Sequence, residues 1–582
     1  MSQRIYIGLS TTYHDPAIAV VDATGRVLFA EAAERCLQYK RGLNVPPDPL
    51  PHVTDWLERY CDHADTWVIA SNWSRKRPWY EYASRWLGYF LPQGLVANGY
   101  RDHSTFLEKY KLFHMLACQN ASVPLGGINL VRQASELFPA VELRFHHFDH
   151  HDCHAAAACF SSPFSEGSCL IVDSYGERGS LAAYHYRDGA FQPLRVGRGI
   201  ASLGFFYMWL TELCGFDWLA GEEWKVMGLA AYGQIDDTLR RRFRKMLWTE
   251  SLDLRQNLAA ILADYAEIEA LRRQPGRSPL EAADLARTGQ EHFTEIVCQL
   301  ATNLYPLAPS SRLILGGGCA LNSACNGRLL AETPFEHLHV PYAPADDGTA
   351  LGAALLAWRR DHPGQRPPPA ASPYLGSSLD PVRIERLARH SGLRMYHLPK
   401  RLEETVAAYL AQGLLVGWVQ GRAEFGPRAL GNRSVLADPR DPGMKNRLNT
   451  RIKFREAFRP FAPAILDEYG AEYFQPYQTS PYMERALPFK PKAAARVPAV
   501  VHADGTGRVQ SVIRAWNPRF HRLLTAFHRF TGVPLLLNTS FNLMGKPILH
   551  NVEDAVATFM TCGLDILVIE DYLFLKPHVE PL

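Results

Sequence analysis

Two stretches in the first half of the chain share one order of apolar and polar positions. "RIYIGLSTTYHDPAIAVVDATGRVLFAEA" (4–32) predicts a strand, a polar loop, a second strand, a glycine-containing turn and a third strand. "SCLIVDSYGERGSLAAYHYRDGAFQPLRV" (168–196) repeats this order, with "RDG" as the hairpin turn. In both copies the first strand ends in small and polar residues, where a phosphate or a metal ion could bind.

A further apolar strand, "RLILGGGCALN" (312–322), leads through glycines into the helix-like "SACNGRLLAE". Two strand–turn–strand units and a glycine-rich turn of this kind are typical of the duplicated actin/hexokinase-like ATPase fold, an α/β architecture. The glycines let backbone N–H groups approach a nucleotide, and the start of the helix favours its negative charge. Taken alone, "GGGC" could equally be a plain tight turn.

The chain divides at a proline-rich stretch. Residues 363–378 have little apolar periodicity and predict a semi-rigid linker. Beyond it come a helix-like "RIERLARHSG" and a buried strand, "GLLVGWVQG". We therefore predict an N-terminal domain over 1–362 and a C-terminal domain over 379–582.

Length and composition narrow the class of protein. A chain of 582 residues is too long for one core, and its apolar fraction of 47% is ordinary for a globular protein. The formal charge of +3 gives no general reason to expect nucleic acid or a membrane as partner. The 11 cysteines form no CxxC pair, and no signal-peptide pattern is visible, which favours reduced thiols in the cytoplasm.

Basic residues concentrate in "GRAEFGPRALGNRSVLADPRDPGMKNRLNTRIKFREAFRP" (421–460). They alternate with glycine, proline and aromatic residues, which favours a pocket lined by arginines over a solvated charged face. Arginine and lysine suit a polyanion such as ATP or a second phosphorylated substrate. Nucleic-acid binding is the competing interpretation, and the nearly neutral chain speaks against it.

Two later stretches suit the same pocket. "HADGTGRVQ" (502–510) places Arg508 after a glycine-rich turn, and "VPLLLNTSFNLMGKPI" (533–548) ends a strand in Asn538, Thr539 and Ser540. These side chains both donate and accept hydrogen bonds. They could also be turn residues that cap strand ends.

"FDHHDCHAAAACF" (148–160) raises the question of a metal site. His150 and His154 are four residues apart, so on a helix their imidazoles lie on one face and could bind one ion. His151 is three residues from His154 and could compete. The alternative is the start of a helix, with Asp149 or Asp152 near its N-cap and incidental histidines.

Several long motifs together resemble the O-carbamoyltransferases of NodU type. They are "DHHDCHAAAA", "EEWKVMGLAAYG", "DDGTALGAAL", "GRAEFGPRALGNRS", "NTRIKFREAFRPFAP", "HADGTGRVQ" and "LNTSFN". The resemblance covers nearly the whole chain. It implies a YrdC-like C-terminal domain that makes carbamoyl adenylate from carbamoyl phosphate and Mg-ATP. It also implies an N-terminal domain that transfers carbamoyl to a hydroxyl of a small molecule such as a sugar or natural product, as in antibiotic biosynthesis.

The resemblance also implies roles for individual residues. Carbamoyl phosphate is expected at Arg428, Arg459, Arg508, Asn538 and Ser540. ATP is expected at Lys40, Lys453 and Arg455. The adenylate in the N-terminal domain is expected at Gly316, Gly317, Gly318, Asn322 and Lys225. A divalent ion, iron(II) first and manganese or zinc as alternatives, is expected at His150, His154, Asp173 and Asp346. His14, with Asp15 beside it, is expected to be the base for the attacking hydroxyl.

Departures from the family pattern leave the acceptor open. The chain has "AAERCLQYKRGLNVPP" and "VDSYGE" where the family usually shows "EERF" and "FP" and an Asp-Gly pair. The aromatic and basic segment 71–125 predicts either an acceptor pocket or the surface of a homodimer. Two other functions are the alternatives: a tRNA threonylcarbamoyl-type enzyme, which needs a basic groove, and a non-catalytic nucleotide-binding regulator, which needs neither the arginines nor the metal ligands.

Overall fold

A computed structural model describes residues 3–74 and 125–582. Segment 71–125, for which we predicted an acceptor pocket or a dimer surface, lies outside the described residues apart from its two ends. The first sheet has the strand order β3-β2-β1-β4-β5, in which β1 to β3 are antiparallel and β4 and β5 run parallel to β1. The strands are β1 (Arg4–Ser10), β2 (Ala17–Val21), β3 (Val27–Ala32), β4 (Thr66–Ser71) and β5 (Glu142–His147).

The second sheet repeats this topology. Its order is β8-β7-β6-β11-β12, again with three antiparallel strands followed by two that run parallel to the first. The strands are β6 (Glu166–Val172), β7 (Leu181–Arg187), β8 (Ala190–Val196), β11 (Arg312–Gly316) and β12 (His337–His339), and a separate ribbon pairs β9 (Leu247–Glu250) with β10 (Asp253–Gln256). The shared strand order confirms the predicted duplication and the actin/hexokinase-like fold.

Two alanine-rich helices pack against each other and against these sheets. They are α4 (His150–Ser161) and α11 (Gly348–Asp361). A Cβ at Gly352 would lie 1.9 Å from the carbonyl oxygen of Cys153, and one at Gly8 would lie 1.9 Å from that of Ala350. Only small residues permit this backbone approach. It fixes the start of both helices near the ends of β1 and β6.

The remaining helices of this half surround the two sheets. They are α1 (Ala33–Leu37), α2 (Leu50–Tyr60), α3 (Ile128–Leu137), α5 (Leu203–Leu213), α6 (Glu223–Leu229), α7 (Asp237–Met246), α8 (Leu258–Glu269), α9 (Ala283–Leu304) and α10 (Ser323–Glu332). In the described parts of the chain, every helix is too short or too polar to span a bilayer.

The C-terminal half is built on one mixed sheet of nine strands, ordered β13-β21-β20-β14-β15-β19-β16-β18-β17. The strands are β13 (Arg394–His397), β14 (Val416–Val419), β15 (Arg433–Ala437), β16 (Ala462–Leu466), β17 (Arg485–Pro488), β18 (Thr506–Val512), β19 (Leu535–Ser540), β20 (Ile566–Ile569) and β21 (Tyr572–Leu575). The helices are α12 (Pro381–His390), α13 (Leu402–Ala411), α14 (Met444–Leu448), α15 (Gly470–Tyr473), α16 (Pro491–Ala494), α17 (Pro518–Thr531) and α18 (Val552–Thr561). The strand predicted in "GLLVGWVQG" is β14, which is wholly buried.

The proline-rich stretch contacts both halves rather than hanging free. The backbone N–H of Ala30 donates to the carbonyl of Leu375 at 2.9 Å, and that of Gly376 donates to Ala423 at 2.9 Å. The two halves also meet directly, because Arg35 Nη2 donates to the carbonyl of Gly426 at 2.6 Å. These hydrogen bonds therefore fix the position of the N-terminal half relative to the C-terminal half, near the site described below.

Gly426→Ala is expected to loosen this contact. Gly426 has φ +105°, and a Cβ there would lie 2.2 Å from the carbonyl oxygen of Tyr342 in the N-terminal half. Strain and overpacking together should lower the free energy of unfolding by about 3 kcal/mol. Gly392→Ala, at φ +66° with open space around it, should cost only about 1 kcal/mol. Urea unfolding of both variants measures the difference, and equal losses would contradict the contact.

Candidate active site

The ligand atoms of four buried residues lie within 4.8 Å of one another: His150, His154, Asp173 and Asp346. Asp149 caps α4 by accepting from the backbone N–H of His151 at 3.0 Å, which starts the helix at the residue required to place both histidines on one face. The Nε2 atoms of His150 and His154 are 3.2 Å apart. The structure thus brings together all four residues that the sequence analysis proposed as metal ligands.

The two carboxylates come from different places in the duplicated fold. Asp173 follows β6, and Asp346 precedes α11. Asp173 Oδ2 lies 3.2 Å from His150 Nε2, and Asp346 Oδ1 lies 3.3 Å from His154 Nε2. Both carboxylates therefore face both imidazoles inside the protein.

The charges of this cluster fit a divalent cation. Burial raises the pKa of Asp173, but hydrogen bonds from the two histidines hold it well below its usual range. Burial lowers the pKa of His150, but the Asp346 and Asp173 carboxylates raise it to about 10. Two buried carboxylates beside two facing imidazole nitrogens require positive charge between them. Nitrogen and oxygen donors of this kind suit iron(II), manganese or zinc.

Residues around the cluster fix the ring of His150. Asn72 accepts from the backbone N–H of Thr11 at 2.9 Å and donates to Thr349 Oγ1 at 2.8 Å, with its amide nitrogen 3.4 Å from His150 Nδ1. Trp73 stacks on the imidazole with the ring centroids 4.7 Å apart. Sequence reasoning missed both residues, because they belong to a segment with no recognisable motif.

His151 does not join the cluster. Its Nε2 is buried without a hydrogen-bond partner in the described protein, and its ring packs against the backbone at Gly176. Helical spacing left open whether His151 competes with its neighbours for the cluster. The His151 ring points toward Gly176 instead.

His14 and Asp15 adjoin the cluster. His14 Nδ1 lies 2.9 Å from Asp15 Oδ2 and 3.7 Å from Asp346 Oδ2. Arg41, which the sequence analysis did not single out, lies with Nη2 3.4 Å from Asp15 Oδ2. Burial raises the pKa of Asp15, but the charges of Arg41 and His14 outweigh burial and lower it. Asp15 and Arg41 both adopt left-handed backbone conformations, at φ 56° and 62°, so this pairing is held by the fold at some cost in strain.

Of the three glycines in the turn after β11, one lies at the site. The backbone N–H of Gly318 donates to Asp173 Oδ1 at 3.1 Å, and Gly318 lines the cavity described below. Gly316 and Gly317 do not line it: they pack against β6, where a Cβ at Gly317 would lie 2.3 Å from the carbonyl of Val172. Asn322 lines the cavity, but its amide exchanges hydrogen bonds with Gln290 at 3.0 and 3.2 Å.

A second cluster, in the C-terminal half, consists of five cations. It is formed by Arg428, Lys453, Arg455, Arg459 and Arg508, and we call it the cationic cluster. Among the described residues, the one carboxylate within ion-pair distance of these side chains is Glu456, 3.2 Å from Arg459. The guanidinium groups of Arg428 and Arg508 have no hydrogen-bond partner within the described parts of the chain, and Arg508 Nε is buried.

Burial and mutual repulsion make the positive charges of the cationic cluster unfavourable. Burial lowers the pKa of Arg428 and of Arg459 to about 10 and, with the charge of Arg459, that of Arg455 to about 9. Burial and the neighbouring arginines hold the pKa values of Lys453 and Arg508 well below their usual ranges. Buried cations without counter-charges are stabilised by a bound anion. The cluster therefore defines an anion site.

One cavity of about 1120 Å³ connects the two clusters. Asp173, Asp346 and His14 line one part, and the cationic cluster lines another. The other predicted residues that line the cavity are Asp15, Lys40, Lys225, Gly318, Asn322, Asn538 and Ser540. The Lys225 ammonium lies between two carboxylates rather than free in the cavity, 2.6 Å from Glu222 and 3.0 Å from Glu456.

Hydrogen-bond acceptors stand beside the cations. The Asn538 amide donates to Ala429 at 3.1 Å and to Gln510 at 2.7 Å, which leaves its buried Oδ1 without a partner in the described structure. Lys453 donates to the carbonyl of Ser540 and to Asn542 Oδ1, the latter at 2.8 Å. These contacts hold the ammonium at the end of β19.

His502 also faces the cavity and was missed from the sequence, although it opens the quoted "HADGTGRVQ". Its Nδ1 lies 3.1 Å from Thr506 Oγ1, which itself donates to Asp504 at 2.7 Å. The Thr506 oxygen is thus left to accept, so Nδ1 carries the proton and Nε2 is an acceptor. Burial lowers the pKa of His502 to about 4, which keeps the ring neutral.

Comparison with known proteins identifies the family. Residues 5–355 match the family described as "Carbamoyltransferase N-terminus", and residues 407–576 match "Carbamoyltransferase C-terminus". The chain belongs to the carbamoyltransferase family and is a carbamoyltransferase enzyme. The resemblance found in the motifs is thereby confirmed.

Relatives over most of the chain agree. Nodulation protein NolNO of Sinorhizobium fredii is 35% identical over 80% of this chain and 69% of that protein. Nodulation protein U of the same organism is 30% identical over 69% and 73%. An uncharacterized protein of Synechocystis, sll1178, is 32% identical over 98% and 96%.

Similarity to solved structures is weaker. Full-length HypF in its phosphate- and nucleotide-bound form is 10% identical, with a TM-score of 0.35 over 62% of this chain and 56% of that chain. Because this score is below the level that supports a structural argument, the fold is assigned from the strand order given above.

Proposed function

We propose that this carbamoyltransferase makes carbamoyl adenylate from carbamoyl phosphate and ATP and passes the carbamoyl group to a hydroxyl of a small-molecule acceptor, a sugar or natural product. The observation that carries the proposal is one continuous cavity, which joins a site of five cations, with Glu456 as the one carboxylate at ion-pair distance among the described residues, to a buried His/Asp cluster. A chain that only bound a nucleotide would not need the buried His/Asp cluster at the other part of the cavity.

The cationic cluster is proposed to be the activation site. Arg428, Arg459 and Arg508 would hold carbamoyl phosphate, while Lys453, Arg455 and Lys40 would hold the phosphates of Mg-ATP. Joining two anions requires that their repulsion be cancelled and the reacting atoms held in line, which fixed cations achieve. Overall, carbamoyl phosphate, ATP and one water give carbamoyl adenylate, phosphate and pyrophosphate.

Asn538 would select the carbamoyl group. Arginine and lysine offer only donors, whereas the carbamoyl NH₂ needs an acceptor. The unpartnered Oδ1 of Asn538 supplies one inside the cluster. Ser540, whose Oγ donates its proton to Asn542 at 2.8 Å, would accept a hydrogen bond beside it.

The His/Asp cluster is proposed to be the transfer site. His150, His154, Asp173 and Asp346 would hold a divalent ion, for which we propose iron(II), and such an ion supplies Lewis-acid polarisation of an oxygen. His14 would remove the proton from the acceptor hydroxyl through Nε2, because its Nδ1 is engaged by Asp15. Arg41 fixes Asp15 and, through it, the imidazole.

Pyrophosphate release without an acceptor tests the activation step. The protein, given carbamoyl phosphate and ATP, should release pyrophosphate only when both are present. Arg459→Ala should reduce the rate by about 10²-fold, as expected when one fixed donor to a reacting anion is removed. Arg529→Ala, at a side chain that is 71% exposed, is the matched control and should leave the rate unchanged. Pyrophosphate that forms without carbamoyl phosphate would contradict the proposal.

A further inference from the structure

The loop that carries Arg455 and Arg459 belongs to the C-terminal half, yet it is embedded in the N-terminal half. Phe458 is 7% exposed and packs in the N-terminal core, with its ring 6.1 Å from that of Phe216. A Cβ at Gly228 on α6 would lie 3.2 Å from Pro460 Cδ. The two halves of the molecule therefore share this loop.

Polar contacts from α6 and its N-cap continue the same interface. Lys225 Nζ lies 2.6 Å from Glu222 Oε1 and 3.0 Å from Glu456 Oε1. The other oxygen of Glu456 accepts from Arg459 Nη1 at 3.2 Å. One carboxylate of the shared loop thus joins a lysine of the transfer domain to an arginine of the anion site.

Arg459 is also held by an aromatic ring. Its guanidinium lies 3.7 Å from the ring centroid of Trp224, the neighbour of Lys225 on α6. Trp224 and Glu456 restrict the guanidinium, whereas Arg428 has no such contacts among the described residues. Stacking on tryptophan fixes the plane of an arginine without using its N–H donors, so the donors of Arg459 that do not bind Glu456 stay available to a ligand.

Charge explains why Lys225 is needed beside Glu456. An uncompensated carboxylate in this place would repel an incoming phosphate and neutralise Arg459. Burial raises the pKa of Glu456, but hydrogen bonds and the charges of Lys225 and Arg459 lower it, so the carboxylate is ionised. Lys225 offsets that charge and holds the carboxylate at one edge of the guanidinium.

We propose that Lys225 and Trp224 are positioning residues for the activation step: α6 of the transfer domain fixes Arg459 for carbamoyl phosphate through Glu456 and the indole ring. This inference rests on the proposed function. It gives Lys225 a role other than the adenylate contact expected from the motif. The transfer domain then completes the site at which its own substrate is made.

Kinetics separate positioning from direct contact. Lys225→Met should raise KM for carbamoyl phosphate about 10-fold and change KM for ATP less than about 2-fold, because Lys225 orients the arginine that binds carbamoyl phosphate only. Lys225→Arg should restore most of the loss, since Arg reaches both carboxylates. Arg195→Met, which removes an ion pair of 2.6 Å with Asp253 away from the cavity, is the control and should match the wild type.

A double-mutant cycle decides the route. If Lys225 acts through Glu456, Lys225→Met should add less than about 2-fold to KM once Glu456→Gln is present. Independent, multiplying effects, or a rise in KM for ATP instead, would overturn the proposal. Trp224→Phe, which keeps an aromatic face, should raise KM for carbamoyl phosphate less than Trp224→Leu. Thermal unfolding midpoints of all variants identify any that fail to fold. If Trp224→Leu fails to fold, Trp224→Phe keeps the test decisive.

Binding of inorganic phosphate, the product of carbamoyl phosphate, keeps the two proposals distinguishable. If the wild type makes no pyrophosphate from carbamoyl phosphate and ATP, the proposed activation chemistry fails. Calorimetric titration with inorganic phosphate then tests positioning of Arg459 alone. A Kd about 10-fold weaker in Lys225→Met than in the wild type supports the role of α6, and an unchanged Kd overturns it.

Discussion

Lys453→Met is expected to abolish carbamoyl-dependent pyrophosphate release, with the rate reduced by about 10³-fold. The buried ammonium is anchored by Ser540 and Asn542 at the end of β19. Burial and neighbouring arginines already lower its pKa, so a triphosphate would stabilise the charged form more than water does. Methionine keeps the length of the side chain and removes the charge. The measurement is a pyrophosphate assay at saturating ATP and carbamoyl phosphate.

Lys492→Met, at an exposed lysine on α16, serves as the control and should keep the wild-type rate. A Lys453→Met protein that still released pyrophosphate but no longer carbamoylated an acceptor would place Lys453 in the transfer step and contradict the assignment.

Asp346→Asn is expected to separate the two half-reactions. The amide keeps the shape of the side chain but removes one of the two negative charges that face His150 and His154. Bound metal should fall to a small fraction of the wild-type content, and transfer should fall by about 10³-fold. Pyrophosphate release should stay within about 3-fold, because Asp346 lies outside the cationic cluster. Elemental analysis measures the metal content, and accumulation of carbamoyl adenylate measures the loss of transfer.

His151→Asn is the matched control for metal content, because His151 lies on the same helix but points toward Gly176. It should retain the metal. Loss of metal in His151→Asn together with retention in Asp346→Asn would reverse the assignment of the ligands.

The sequence predicted best what depends on local pattern. The repeated strand–turn–strand order predicted the duplicated sheets, and helical spacing predicted that His150 and His154 share one face, which is half of the His/Asp cluster, with His151 left as a competitor. Asp173 and Asp346 came from family motifs, since nothing local shows that the end of β6 and the start of α11 meet.

The cationic segment was predictable in composition but not in detail. Of its arginines, Arg433 is fully buried and donates to the carbonyls of Gln420 and Asn432, and Arg451 pairs with Asp565 at 2.7 Å. Such side chains hold backbone and sheet together and face no ligand. Which arginine reaches the cavity depends on the direction of each side chain in the folded sheet, and no spacing rule encodes that direction.

Arg41, Trp224 and Glu456 were missed for a similar reason. Arg41 contacts Asp15, 26 residues away in the chain, and Trp224 and Glu456 have partners in the other half of the molecule, so no local pattern shows these contacts. Gly316 and Gly317 show the opposite case: the glycine-rich turn was recognised, but close packing on β6 explains two of its three glycines.

The volume of the continuous cavity determines the local concentration of a molecule held inside it. One molecule confined to 1120 Å³ is present at about 1.5 M, far above any level that a labile mixed anhydride could reach in bulk solution. A transfer site fed from within needs only weak affinity for the intermediate to stay occupied. Under the proposed function, the free energy of binding is then available for the acceptor, and adenylate added from outside should compete poorly with adenylate made inside.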